Sequence, residues 1–215
     1  MRMRRKKNLV PRMERCGEIW VRVPERYYGQ WLSGRTEEEV QLEIGCGKGK
    51  FTVETAASLP SVLLVAIEKM QNVLLTAMER TEALGLCNIR FLDADAAGLA
   101  LMFAPGEISR IYLNFSDPWP GPRHEKRRLT SPGFLDLYQR ILKPGGEVHF
   151  KTDNRALFDY SVAQFPAAGY ILEQVTYDLH GQGTVGVMTD YEEKFHEAGM
   201  PICRCVARWM GEDLP

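Results

Sequence analysis

Apolar residues along this chain fall in short continuous runs, separated by segments in which they recur every three or four positions. VQLEIG (40–45), VLLVAIE (62–68), IRFLDA (89–94), ISRIYLNF (108–115), EVHFKT (147–152), YILEQVTYDL (170–179) and ICRCVARWM (202–210) read as strands. Between them KFTVETAASL, QNVLLTAMERTEAL, AAGLALMF, GFLDLYQRIL and ALFDYSVAQF carry the period of helices buried on one face. Short apolar strands alternating with helices predict an α/β fold with a mostly parallel sheet covered on both faces. KPGG at 143–146 is expected to stop a helix and turn the chain into the next strand. The last two strands are joined by HGQGTVGVMTDYEEKFHEAGMP, polar and glycine-rich without a crossover-length helix, and are expected to pair antiparallel.

Composition narrows this further. The 215 residues carry a formal net charge of −1 with 45% hydrophobic residues, which suits one domain with a sizeable core. No repeat or low-complexity linker interrupts it, so a single domain is expected over 21–215 behind a mobile basic arm over 1–20. No stretch approaches the ~20 apolar residues of a membrane span. The basic start lacks the apolar run of a secretory signal. Five scattered cysteines include no C-x-x-C pair, and His124-Glu125 lacks the second histidine of a zinc-protease motif. A reduced, cytoplasmic, metal-free protein is expected, with no membrane association.

Charge is clustered despite its near-zero sum. Arg2, Arg4, Arg5, Lys6, Lys7, Arg12 and Arg15 crowd the start, and Arg123, Lys126, Arg127 and Arg128 form a second group. Local basic patches on a neutral chain point to a polyanion held at one place. A solvated tail explains the N-terminal run equally well.

The chemistry-bearing motifs lie where strands end. LEIGCGKGKF ends a strand in a glycine turn, Gly45, Gly47 and Gly49, that opens a helix; backbone amides there can approach a ligand closely. The spacing is not the G-x-G-x-x-G of dinucleotide binders. Glu68 ends the next strand, where an acid accepts hydrogen bonds from both hydroxyls of a ribose. Asp95, with Asp93 as competitor, follows the third strand; it can accept from an adenine amino group or cap a helix. In NFSDPWPGPRHEKRRL (114–129), Pro118 forces Asp117 into extended geometry and Pro120 and Pro122 stop the strand. Trp119 can stack on a base or pack the rim. Thr189 and Glu192 have the spacing of a helix capping box.

LEIGCGKG, AIEKM, LDADA, NFSDPWPGPRHEKRRL, HFKTDN and TDYEEKF occur in this order across nearly the whole chain. Together they resemble the bacterial tRNA (guanine-N(7)-)-methyltransferase family. The resemblance implies a Rossmann-like class I methyltransferase with a seven-stranded, mostly parallel sheet whose last strand is antiparallel. It implies methyl transfer from S-adenosylmethionine to nitrogen 7 of a variable-loop guanosine (position 46), with S-adenosylhomocysteine as product. It further implies that Glu43, Gly45, Gly47, Glu68, Asp95 and Asp117 contact the cofactor, and that Asp117 is also the catalytic residue. By the same resemblance Arg123, His124, Glu125, Lys126, Arg127 and Arg128 touch RNA, and Asp153, Thr189, Asp190, Tyr191 and Glu192 touch the substrate. Gly121 and Pro122 stand where relatives often carry lysine, so no contact is assigned there. The partner is tRNA, and the chain is expected to be a monomer or homodimer.

A nicotinamide oxidoreductase sharing the glycine turn and Glu68 is disfavoured by the third-glycine spacing and by the lack of a hydride-transfer site. A non-catalytic RNA-binding module leaves four acids at one sheet edge unexplained. An exocyclic-amine methyltransferase would more often show N-P-P-Y or D-P-P-Y than S-D-P-W.

Overall fold

The structure is a computed structural model and describes residues 6–211; Arg2, Arg4 and Arg5 of the basic start lie outside them. Among the described residues seven strands form one sheet: β1 (Glu39–Ile44), β2 (Val62–Ile67), β3 (Ile89–Leu92), β4 (Ile108–Asn114), β5 (Leu142–Thr152), β6 (Tyr170–Thr176) and β7 (Cys203–Trp209). Their order is β3-β2-β1-β4-β5-β7-β6. The first five pair parallel, and β7 pairs antiparallel with both β5 and β6.

Helices cover both faces because the strands are apolar on both. In β2 every residue is buried. Leu63, Val65 and Ile67 face the core under α4 (Leu99–Met102), α5 (Pro132–Ile141) and α6 (Arg155–Ala167), whereas Leu64 and Ala66 face α1 (Leu9–Arg15), α2 (Lys50–Ser58) and α3 (Gln71–Ala83). This is the alternation that a pleated strand imposes.

Three local readings change. KPGG does not separate α5 from its strand: β5 starts at Leu142, and the register opens between the pairs Ile108↔Leu142 and Arg110↔Glu147. The extra residues are absorbed as a bulge, with Gly145 at φ 78°. AAGLALMF divides into a 3-10 turn, Ala96–Gly98, and the short α4. The stretch before β7 contains an eight-residue helix, α7 (Asp190–Glu197). Of the basic start, α1 buries Leu9 and Met13 and Arg12 pairs with Glu79 of α3 at 2.6 Å. Residues 9–15 form a packed helix.

Among the described residues no helix is long and apolar enough to cross a membrane.

Candidate active site

The sheet order reverses direction between β1 and β4, which opens a crevice beyond the carboxyl ends of the strands. A cavity of about 700 Å³ fills it, walled by Gly45, Glu68, Asp95, Asp117, Trp119 and Arg127 among others. The glycine turn shapes one side. Gly45, Gly47 and Gly49 all have positive φ, and Gly45 N and Cys46 N both donate to Ile67 O. At Gly49 a Cβ would lie 2.5 Å from Ala77 Cβ, so only glycine lets α2 start this close to α3. At Gly45 a Cβ would meet nothing within 4 Å, because that position faces the opening.

Glu68 stands across from the turn. Its Oε2 accepts from Gly47 N at 3.2 Å and its Oε1 from Met70 N at 2.8 Å. Each oxygen keeps a second lone pair. The carboxylate is thus fixed in direction and still able to accept from a ligand. Asp95 also lines the cavity. Its Oδ1 accepts from Ala97 N at 3.0 Å, capping the turn that follows, and Lys69 Nζ lies 2.7 Å from Oδ2. The Ala97 amide and then Lys69 hold this carboxyl below its ordinary range. The competitor, Asp93, accepts from Trp20 Nε1 and Gln71 Nε2 instead and ties α3 to the N-terminal segment.

Glu43 lies beneath the cavity and not on its wall. It is fully buried, accepting from Thr52 Oγ1 at 2.6 Å and Asn114 Nδ2 at 3.3 Å. Burial pushes its carboxyl up to about 7 against the pull of these bonds and of Lys151. A carboxyl raised in the folded state is protonated there while the unfolded chain has already lost its proton. Stability therefore falls as pH rises from about 4.5 to about 7, by at most about 3 kcal/mol. Glu43→Gln, which is neutral throughout, is expected to flatten this slope. Urea unfolding at pH 5 and 7.5 checks it, and parallel pH profiles of the two proteins would contradict it.

The segment after β4 leaves the sheet through two left-handed residues, Phe115 at φ 53° and Trp119 at φ 42°. Such backbone costs of order 1–3 kcal/mol each unless its surroundings hold it. Here the 3-10 helix Pro122–Arg127 folds back over it. Arg127 sits over the Trp119 ring at 4.7 Å, Arg128 donates to Trp119 O, and Arg128 also covers Tyr160, whose hydroxyl binds Glu125 at 2.9 Å. Asp117 is presented at the mouth. Lys126 and Arg127 line the cavity, while Arg123 and His124 are exposed beside it.

The remaining expected residues are not among those lining this cavity; they meet it only through Phe115, which Tyr191 touches. Asp153 follows the last residue of β5. Burial and then the Asp153 charge raise the Tyr191 hydroxyl, so these two are neighbours. The Tyr191 ring packs tilted against Phe115 at 5.4 Å and against Phe195 at 4.5 Å. Thr189, Asp190, Glu192 and Glu193 are instead bound to other parts of the protein. Thr189 caps α7 in a complete capping box. Asp190 makes a two-pronged pair with Arg80 at 2.8 and 2.9 Å, and Glu193 pairs with Lys50. Glu192 is fully buried against Lys151 Nζ at 2.6 Å and His180 Nε2 at 2.9 Å. Its side chain is committed to the protein, so of the four only Tyr191 is exposed toward the rim.

Lys151, His180, Asn114 and Phe115 matter here and escape a reading of the sequence. A signal existed for one of them: HFKT places a lysine in a strand flanked on both sides by sheet, where a charge requires a buried partner.

Comparison with known proteins follows this geometry. A family described as "Putative methyltransferase" matches residues 37–205. A protein of Streptococcus suis named tRNA (guanine-N(7)-)-methyltransferase is 44% identical over 97% of this chain and 100% of its own length. One of the same name from Geobacillus kaustophilus is 45% identical over 96% of each. Among solved structures, the 16S rRNA methyltransferase KamB superposes with a TM-score of 0.64 at 18% identity, covering 81% of this chain and 89% of that one. TrmN from Thermus thermophilus does so with a TM-score of 0.57 at 25% identity, covering 80% and 44%.

Proposed function

This chain belongs to the tRNA (guanine-N(7)-)-methyltransferase family, and from that premise we propose that it transfers a methyl group from S-adenosylmethionine to nitrogen 7 of a guanosine in tRNA. The observation that carries the reading is one cavity, at the sheet's switch point, bounded by a glycine turn, by Glu68 and by Asp117 with a basic rim.

The cavity suits the methyl donor. Glu68 has free lone pairs for ribose hydroxyls, and the open Gly45 leaves room for a close approach to backbone. Asp95 faces the same space for an adenine amino group, and Glu43 supports the floor from below through Asn114. When bound, the donor supplies an electrophilic sulfonium methyl.

The rest falls to the protein. Nitrogen 7 of guanine carries an in-plane lone pair and no proton to lose, so no general base is required. The chain must hold the purine in line, a service that contributes up to ~7–11 kcal/mol, and stabilise the cationic ring that methylation leaves. Asp117, on the cavity wall, and Asp153, near Tyr191, supply negative charge. Their carboxylates accept the guanine N–H groups or offset the developing charge. Nitrogen 7 is closed off in the deep major groove of an RNA duplex. The target is therefore a guanosine outside a regular helix, as in the variable loop. Arg123, Lys126, Arg127 and Arg128 grip the flanking phosphates. The five cysteines are free thiols, which suits a reducing cytoplasm.

The direct test is incubation with labelled donor and unmodified tRNA, followed by the chain scission that 7-methylguanosine permits. One cut at a single guanosine is expected. Label on another atom, or in no RNA at all, contradicts the reading.

A further inference from the structure

Past α1 the chain adds to the outer edge of the sheet. Trp20 lies opposite Phe91 in a parallel bridge, and Val21 N donates to Phe91 O at 3.0 Å. It then curls through a 3-10 helix, Pro24–Tyr27, and returns at Arg35 to the start of β3. The curl encloses a second cavity of about 550 Å³ beside the amino ends of β2 and β3, at the opposite end of these strands from the methyl-transfer cavity. Arg22, Arg26, Arg35 and Arg90 line it with Trp20 and Tyr27, and Glu18 is the single acid in its wall among the described residues.

The cations are unevenly compensated. Arg22 is paired with Glu14 and Arg35 with Glu37. Arg26 is exposed and has no side-chain partner among the described residues. Arg35 Nη2 and Arg90 Nη1 donate to the same acceptor, Cys87 O, at 3.0 and 2.9 Å, which sets two like charges side by side. Arg35 Nε is buried with no hydrogen-bond partner among the described residues. An anion in the cavity would offset the adjacent charges of Arg35 and Arg90 through a charge-assisted contact.

We propose that this cavity binds the phosphate backbone of the RNA substrate, as a second contact remote from the guanosine being methylated. The inference rests on the function proposed above. An RNA strand, and not a free anion, is favoured by the path between the two cavities. The N-terminal segment runs along α3 from Lys6, bonded to Asn72 and Thr76 near the first cavity, to Cys16 at Glu82 near the second. Lys7 and Arg15 lie exposed on that path with no ion pair among the described residues. Trp20 already carries Arg22 over its ring at 4.4 Å and Tyr27 is stacked on Trp31, so each ring keeps at most one face for a base beside the guanidiniums. The six residues of β2 set the separation at about 20 Å, which a folded RNA spans.

The test is to compare Arg26→Gln, Arg90→Gln and the double variant with the parent protein for binding of unmodified tRNA across a salt series. Expected are a rise in Kd of about tenfold per arginine, the size of one charge-assisted contact, and a salt slope reduced by about 1 for each phosphate released. The affinity for S-adenosylhomocysteine should not move, nor should the thermal midpoint of Arg26→Gln. Arg26 lies on an exposed turn, so Arg26→Gln decides the matter alone if Arg90→Gln unfolds. Parent-like affinity and slope in a folded variant, while the parent protein methylates the same tRNA, overturns this contact and leaves the proposed function standing. Failure of the parent protein to methylate that tRNA removes the function itself.

Discussion

Glu192→Gln is expected to cost about 3–5 kcal/mol of stability, the cost of breaking a buried ion pair by removing one partner. Glutamine is a conservative change by sequence alone, since it also fits the third position of a capping box. The surroundings make it severe. Glu192 accepts from Lys151 Nζ at 2.6 Å, from His180 Nε2 at 2.9 Å and from Thr189 N at 3.3 Å. His180 Nδ1 accepts from Val185 N, so its Nε2 carries the proton and donates. A glutamine amide group placed among these donors turns at least one contact into donor against donor. It also leaves Lys151 buried without a counter-charge, and burial already lowers the lysine below its ordinary range. Guanidinium unfolding at pH 7 measures the loss. Added salt should not narrow the gap, because the pair is shielded from solvent. Joint replacement, Lys151→Met with Glu192→Leu, should recover most of it. A cost below about 1 kcal/mol for Glu192→Gln would show that the pair is not holding α7 to the sheet.

This knot marks where the sequence stops being informative. Strand and helix positions were legible because they depend on periodicity within ten residues, and the boundaries of β1, β2 and β7 differ from expectation by one residue at each end or less. The capping box was legible for the same reason, being complete within four residues. The partnership of Lys151 with Glu192 spans 41 positions and passes through the antiparallel end of the sheet, so no local pattern records it. The effect on function is concrete. Four consecutive residues, Thr189 to Glu192, suggest four substrate contacts, but three of their side chains are used to fix the helix start and one, Tyr191, remains to face outward.

The N-terminal region shows the same limit from the other side. Its basic residues invite the reading of a mobile arm, since charge alone carries no information about packing. The apolar positions Leu9 and Met13, four apart, do carry it, and they seat α1 on α3. The arginine-lined cavity near β3 was out of reach, because Arg35 and Arg90 meet only when Trp20 and Val21 join the edge of the sheet. Asp117 was legible from its own strand: an apolar run, an acid and a proline.

Asp117→Asn is expected to lower kcat by about 10²–10³, the effect of removing one preorganised charge from a transition state, with little change in KM for tRNA. The residue stands on backbone that is strained at Phe115 and Trp119 and held by Phe115 N donating to Lys151 O at 2.9 Å and by Arg128 bound to Trp119 O. That framework fixes where the carboxylate points without engaging it: no ion pair or hydrogen bond of its side chain is present among the described residues. A carboxylate kept free at a cavity mouth is poorly used for stability, so the thermal midpoint should shift by less than ~0.5 kcal/mol equivalent. Its effect on a purine gaining positive charge grows once the base covers it and displaces water. Asparagine keeps the shape and an acceptor oxygen but removes the charge, whereas Asp117→Ala removes both. Equal losses in the two variants assign the effect to charge; a loss confined to alanine assigns it to orientation of the guanine. Single-turnover methyl transfer with saturating donor separates these cases from a binding defect. Near-parent turnover in both variants would take Asp117 out of the reaction and leave Asp153, near Tyr191, as the other candidate carboxylate.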